Sequence, residues 1–215
     1  MRNTQSENAE LASDLAYVRA LAEEGRDAPL LSGGYFLLWG GLMGAAALAF
    51  FLGLVGVVSY GRGGAFIPWA AAVLIGWVGS ILLARRYKTR PGTFTLGNRT
   101  ASATWRAVGV FITLFWVALL FAHDNFTAFG VPRYFLFFLM FPLSFGVYGI
   151  AFYATAVAAR ANWLKLFALL SCGFSIGALF LAGSVYQYLL GAVGCFLCVA
   201  LPGYLLMREE PQEIV

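Results

Sequence analysis

From Gly34 onward apolar residues run almost without interruption, broken only by glycine-rich turns and clusters of charge. The continuous stretches cover 34–59, 65–84, 104–122, 134–159, 163–181 and 185–207, each 19 to 26 residues long. As helices they extend about 28 to 39 Å, which matches or exceeds a hydrocarbon core of about 30 Å. None alternates with a period of two, and each is about twice the length of a roughly ten-residue barrel strand, so membrane strands are excluded. The faintest division lies in 163–207, where Lys165 is the single charge and Ala182-Gly183-Ser184 predicts a tight turn. The pattern therefore predicts an all-α polytopic membrane protein, with six transmembrane helices arranged as three helical hairpins.

The first 32 residues differ. Six acids, Glu7, Glu10, Asp14, Glu23, Glu24 and Asp27, stand there against Arg2, Arg19 and Arg26. A secretory leader would need a basic start followed by an apolar stretch, a pattern these residues do not follow, so none is expected. Leu11, Leu15, Val18 and Leu21 or Ala22 recur at helical spacing, Thr4 and Glu7 form a capping-box pattern, and Gly25 marks a stop. These signals predict a short cytosolic amphipathic helix over 6–24. Its acidic polar face would be repelled by anionic headgroups, so its narrow apolar stripe is expected to pack on protein: the chain's own cytosolic loops or a partner. The domain plan is thus 1–32 helix and linker, 33–207 transmembrane domain and 208–215 cytosolic tail.

Composition agrees, with 61% hydrophobic and 11% charged residues over 215 positions, against about 25% charged in ordinary soluble domains. Six spans leave too little chain for a separate catalytic domain. The 14 basic residues fix orientation: twelve fall on the N-terminal side and only Arg62 and Arg133 fall opposite. Such a positive-inside bias predicts cytoplasmic termini and an even number of spans in a bacterial cell inner membrane. The second helix of each hairpin ends in an arginine, Arg85, Arg160 or Arg208, and Trp105-Arg106 and Trp163-Leu164-Lys165 open two of the first helices. A threefold duplication would explain this, and so would the ordinary preferences of helix ends at a membrane surface.

Small residues mark expected close approaches, since packing replaces the hydrophobic drive that lipid removes. Ala72, Gly76, Ser80 and Ala84 form one ladder, and Gly40 with Gly44 and Gly173 with Gly177 repeat the spacing. They suit packing within one bundle or the face of a homo-oligomer. Pro142 predicts a kink inside the fourth span, and Pro202 lies near the inner end of the sixth.

The predicted spans hold no Asp, Glu or His, so no buried acid–base pair is expected, and no metalloprotease, nucleophile-elbow, P-loop or dinucleotide motif occurs. No catalytic residue, cofactor or metal is predicted. Cys195 and Cys198 stand three apart on one helix with Cys172 on the preceding one; soft ligands of this kind suit Cu(I), but without a nearby cation apolar packing is the expected role.

Arg85, Arg86, Lys88 and Arg90 are expected to touch anionic headgroups on the cytoplasmic side, and their segment is also a natural mate for the acidic helix. No direct nucleic-acid binding is expected. On the external side His123, Asp124, Arg133, Tyr186, Gln187 and Tyr188 would form a shallow ligand mouth if their hairpins converge, or an aromatic belt if they do not.

The stretch from Asp14 to Arg26 followed by Ala28-Pro29-Leu30-Leu31, and the ending from Leu201 to Pro211, resemble uncharacterised six-helix inner-membrane proteins of proteobacteria. The resemblance implies a membrane partner for a soluble regulator and carries no catalytic residue over. The resulting expectation is a non-enzymatic sensor, anchor or accessory subunit. Its partner would meet Leu11, Leu15, Val18, Glu23 and Glu24 of the N-terminal helix, and Arg208, Glu209 and Glu210 of the tail. The alternative is a small transporter or channel for a neutral or lipophilic solute.

Overall fold

The computed structural model describes residues 13–17, 30–61, 64–88, 95–127, 129–132 and 135–209. Among them the chain is all-helical, without a strand. Five helices are long and apolar enough to cross a membrane: Gly33–Leu54, Gly64–Tyr87, Leu96–Ala122, Phe135–Ala158 and Tyr186–Glu209. Leu164–Phe180 is equally apolar but has 17 residues, about 25 Å at 1.5 Å per residue.

The first helix, α1, spans Gly33–Leu54, five residues short of the apolar run that predicted it. A backbone cap ends it. Gly56 takes a left-handed φ of 80°, its N–H reaches the Gly53 carbonyl at 3.2 Å, and the Val57 N–H reaches Leu52 at 2.9 Å. This double bond satisfies carbonyls that a helix end leaves open, so the helix stops although Val57 and Val58 are apolar.

Helix α2, Ile67–Tyr87, follows a 3-10 turn at Gly64–Phe66 and tolerates Pro68 because first-turn N–H groups need no helical partner. Helix α3, Leu96–Thr127, begins eight residues before the predicted span. Thr95 starts it: its hydroxyl accepts from the Asn98 N–H at 3.4 Å and from Asn98 Nδ2 at 3.2 Å, a Thr-x-x-Asn variant of the capping box.

Helix α4, Met140–Ala158, is entered through 3-10 winding at Phe135–Leu139. Pro142 therefore sits in the first α turn, where the winding changes from 3-10 to α. Ala159 to Trp163 turn the chain, with Arg160 at a left-handed φ of 53°, into α5, Leu164–Phe180. Gly183, at φ 85°, makes the tight turn expected at 182–184. The last helix runs as α6, Tyr186–Gly194, a π-helical turn at Cys195–Ala200, and α7, Leu201–Glu209. Pro202 directly follows the widened turn, which eases the clash between a proline ring and the carbonyls before it.

Packing does not divide into three equal hairpins. The most extensive pairings are α4 with α5, and α1 with the whole length from α6 to α7. Glycine permits the second. A Cβ on Gly40 would enter the backbone of Ala200, one on Gly44 would meet the Phe196 ring at 2.9 Å, and one on Gly33 the Gly203 carbonyl at 2.8 Å. Between α4 and α5, a Cβ on Gly149 would stand 2.6 Å from Cys172 Sγ. The buried core gathers Leu30, Phe36, Ala101, Phe152, Ala156, Leu164, Phe167, Cys198 and Leu206. Helix α2 packs chiefly on α1, and α3 chiefly on α4.

Candidate functional sites at the two ends of the bundle

Apolar helices bring few polar groups inside, so a buried one with partners shows what it joins. Gln187 is the clearest. Pro142 has no N–H to offer the Phe138 carbonyl four residues back, and the carbonyl of Ala178 lies in the last turn of α5, beyond the helical ladder. Gln187 is fully buried, and its Nε2 donates to Phe138 O at 2.7 Å and to Ala178 O at 2.8 Å. One side chain of α6 thus fastens the entrance of α4 to the exit of α5. Its Oε1 has no protein partner. Ser175 adds a neighbouring tie, donating from Oγ to the Pro142 carbonyl at 2.6 Å.

This arrangement revises the external mouth. Gln187 is turned into the bundle instead of toward a ligand. Tyr188 is half-buried among rings, with centroids 4.6 Å from Phe50, 5.9 Å from Phe141 and 6.4 Å from Phe138. Tyr186 is exposed and packs near Phe51. The backbone of His123 and Asp124 belongs to the last turns of α3 and not to a loop, while Arg133 lies outside the described residues. The three tyrosine and glutamine positions therefore serve three different surroundings.

Trp105 joins α3 to α4: it donates from Nε1 to the hydroxyl of Thr155 at 3.1 Å and lies edge-on to Phe36 and Phe152, with centroids at 4.5 and 4.7 Å. Trp39 makes a comparable tie from α1 to α2, donating to Ser80 Oγ at 2.9 Å, and a Cβ on Gly76 would strike its ring at 2.7 Å. Ala72 and Gly76 of the small-residue ladder are buried, while Ala84 is exposed. Gly173, also expected at a close approach, has open space beside it.

At the end of the bundle where residues 30–34 enter it, neutral groups make the visible connections. The Leu31 N–H donates to Asn98 Oδ1 at 2.8 Å, and the Gly34 N–H donates to Tyr87 OH at 3.3 Å. Leu30, expected in a solvent linker, is buried with the core. Of the expected headgroup contacts, Arg85, Arg86 and Lys88 are exposed; Arg90 is outside the described residues. Of the expected partner surface, Leu15 is 64% exposed on a helical turn at 13–17, and Tyr17 beside it is 69% exposed. Arg208 and Glu209 are exposed as well. Leu11, Val18, Glu23, Glu24 and Glu210 lie outside the described residues.

The three thiols differ in their surroundings: Cys195 and Cys198 are buried, and Cys172 is exposed on α5 near Gly149. Among the described residues no three His, Cys, Asp or Glu side chains come together as metal ligands would. Among the described residues Ser171, Thr155, Gln187 and Asn98 are the buried polar side chains. All four are neutral; Thr155, Gln187 and Asn98 hydrogen-bond to other segments of the bundle, whereas Ser171 Oγ is buried without a hydrogen-bond partner. Comparison with known protein families, curated proteins and solved structures finds no match.

Proposed function

We propose that this chain is a non-enzymatic, six-span protein of a bacterial inner membrane that serves as an anchor, sensor or accessory subunit for a protein partner. The carrying observation is the uncovered helical turn at 13–17, where Leu15 and Tyr17 stay open to solvent. An apolar pair on an acidic segment is poorly suited to anionic lipid, and a protein surface with basic residues complements it better.

Six spans are supported by the setting of α5. It is joined to α4 and α6 by short turns and packs against both, and Trp163 and Lys165 stand at one end, as helices at a membrane surface prefer. Cytoplasmic termini follow from the basic bias, with Arg85, Arg86, Arg160 and Arg208 at helix ends on one side. The close glycine contacts of Gly40, Gly44, Gly191 and Gly194 with neighbouring backbone and rings favour a packed bundle over a solute path through its centre.

Affinity purification from native membranes, with and without residues 1–24, which spares the buried Leu30, tests this reading. A protein recovered in stoichiometric amount with the full chain and lost with the truncation is the expected result; equal recovery from both overturns it. Solute flux through liposomes containing the purified chain would instead establish the transport alternative.

A further inference from the structure

Residues 30–34 tie three parts of the inner end at once. Leu30 is buried in the cluster that contains Ala101 of α3, Leu164 of α5 and Leu206 of α7. One residue on, the Leu31 N–H holds Asn98 in the first turn of α3; three further on, the Gly34 N–H holds Tyr87 in the last turn of α2. Tyr87 and Asn98 are the two ends of the connection between α2 and α3, and both are buried. Elsewhere these two helices each lean chiefly on one neighbour, α2 on α1 and α3 on α4.

The geometry points to a strap: residues 30–34 fasten the inner ends of α2 and α3 to the core, and tension or binding on the N-terminal helix withdraws Leu30 and loosens both ends together. The parts suit release. One leucine supplies the plug, the Leu31 bond is only partly buried so that water can replace it, and the helical turn upstream at 13–17 is exposed and open to a partner. The regulated parts are the last turn of α2, with exposed Arg85, Arg86 and Lys88 beside it, and the first turn of α3; the strap would set the distance of these cations from the headgroups. The inference rests on the N-terminal helix being the partner-binding element, and a probe that replaces the natural partner separates the two.

Hydrogen exchange on the full chain in lipid nanodiscs, with and without an antibody fragment raised against residues 6–24, is the test. Binding of the fragment is expected to speed exchange about fivefold in 84–88 and 96–101, the scale of one lost hydrogen bond, and to leave 145–156 unchanged. Asn98→Leu should be fast at 96–101 without the fragment. Unchanged protection at both ends with the fragment bound would overturn the strap. Should Asn98→Leu loosen 145–156 too, the wild-type comparison alone decides. A fragment effect in a chain that yields no cellular partner would uphold the strap and count only against the partner reading.

Discussion

The last helix and α2 with its leading turn are almost equally apolar and each is 24 residues long, yet 56% of the most apolar 18 residues of the first are buried and only 11% of those of the second. Helix α3 also has 11%. Hydrophobicity therefore says that a helix belongs in the membrane and nothing about whether it faces protein or lipid. What separates them is the distribution of small residues and buried hydrogen-bonding groups. The last helix carries Gly191, Gly194 and Gly203 against Phe141, Phe145 and Leu37, and Gln187 as well. Helix α2 has its glycines on one face, at Trp39 and Leu38, and turns Leu74, Ile75, Val78, Ile81 and Leu82 outward.

The sharpest way to break this comparison is to fill the α1–α7 crossing. Gly40→Leu forces a side chain into the backbone at Ala200 and should cost at least about 3 kcal/mol, the upper range for overpacking, seen as loss of monodisperse protein on size exclusion. Gly41→Leu, one residue away with open space beside it, should behave like wild type. Next, Phe152→Ala in the fully buried core should destabilise by about 3 to 5 kcal/mol in detergent-titration unfolding, whereas Leu74→Ala on the outward face of α2 should change little.

Gln187→Leu should cost about 1 to 3 kcal/mol by stranding two buried carbonyls. Adding Pro142→Ala returns an N–H to Phe138 and should recover part of the loss; equal losses in the single and double variants would show that the two residues are not coupled. Smallest is Ser80→Ala, at about 0.5 to 1.5 kcal/mol, because α2 keeps its packing on α1 when the Trp39 bond is gone. A cost as large as that of Gln187→Leu would place α2 among the central helices after all.

Much of the plan was legible beforehand. Apolar runs located the five long helices and α5, the Gly183 turn fell where the triplet suggested, and Gly40, Gly44 and Gly76 lie at close approaches. Helix ends were less legible, because they depend on backbone capping and not on side-chain transfer energy. Gly56 stops α1 inside an apolar run, and Thr95 starts α3 inside a polar one. The external mouth misread Gln187 because an amide near a helix end looks like a surface residue. The available signal was Pro142, whose missing N–H leaves a carbonyl needing a donor. Asn98 was hidden similarly, among arginines that suggested only headgroup contact.

On the six-span reading, the brevity of α5 extends beyond the protein. At about 25 Å against a hydrocarbon core of about 30 Å, with its outward residues Leu166, Leu169, Ile176 and Phe180 exposed, α5 compels neighbouring lipids to shorten or tilt their chains. The adjoining bilayer is pinched on that flank, at a cost of a fraction of a kcal/mol per ångström of mismatch. Thickening of the membrane would thus be felt first at α5, giving the protein a preference for thinner regions or for a neighbour whose own short flank shares the deformation.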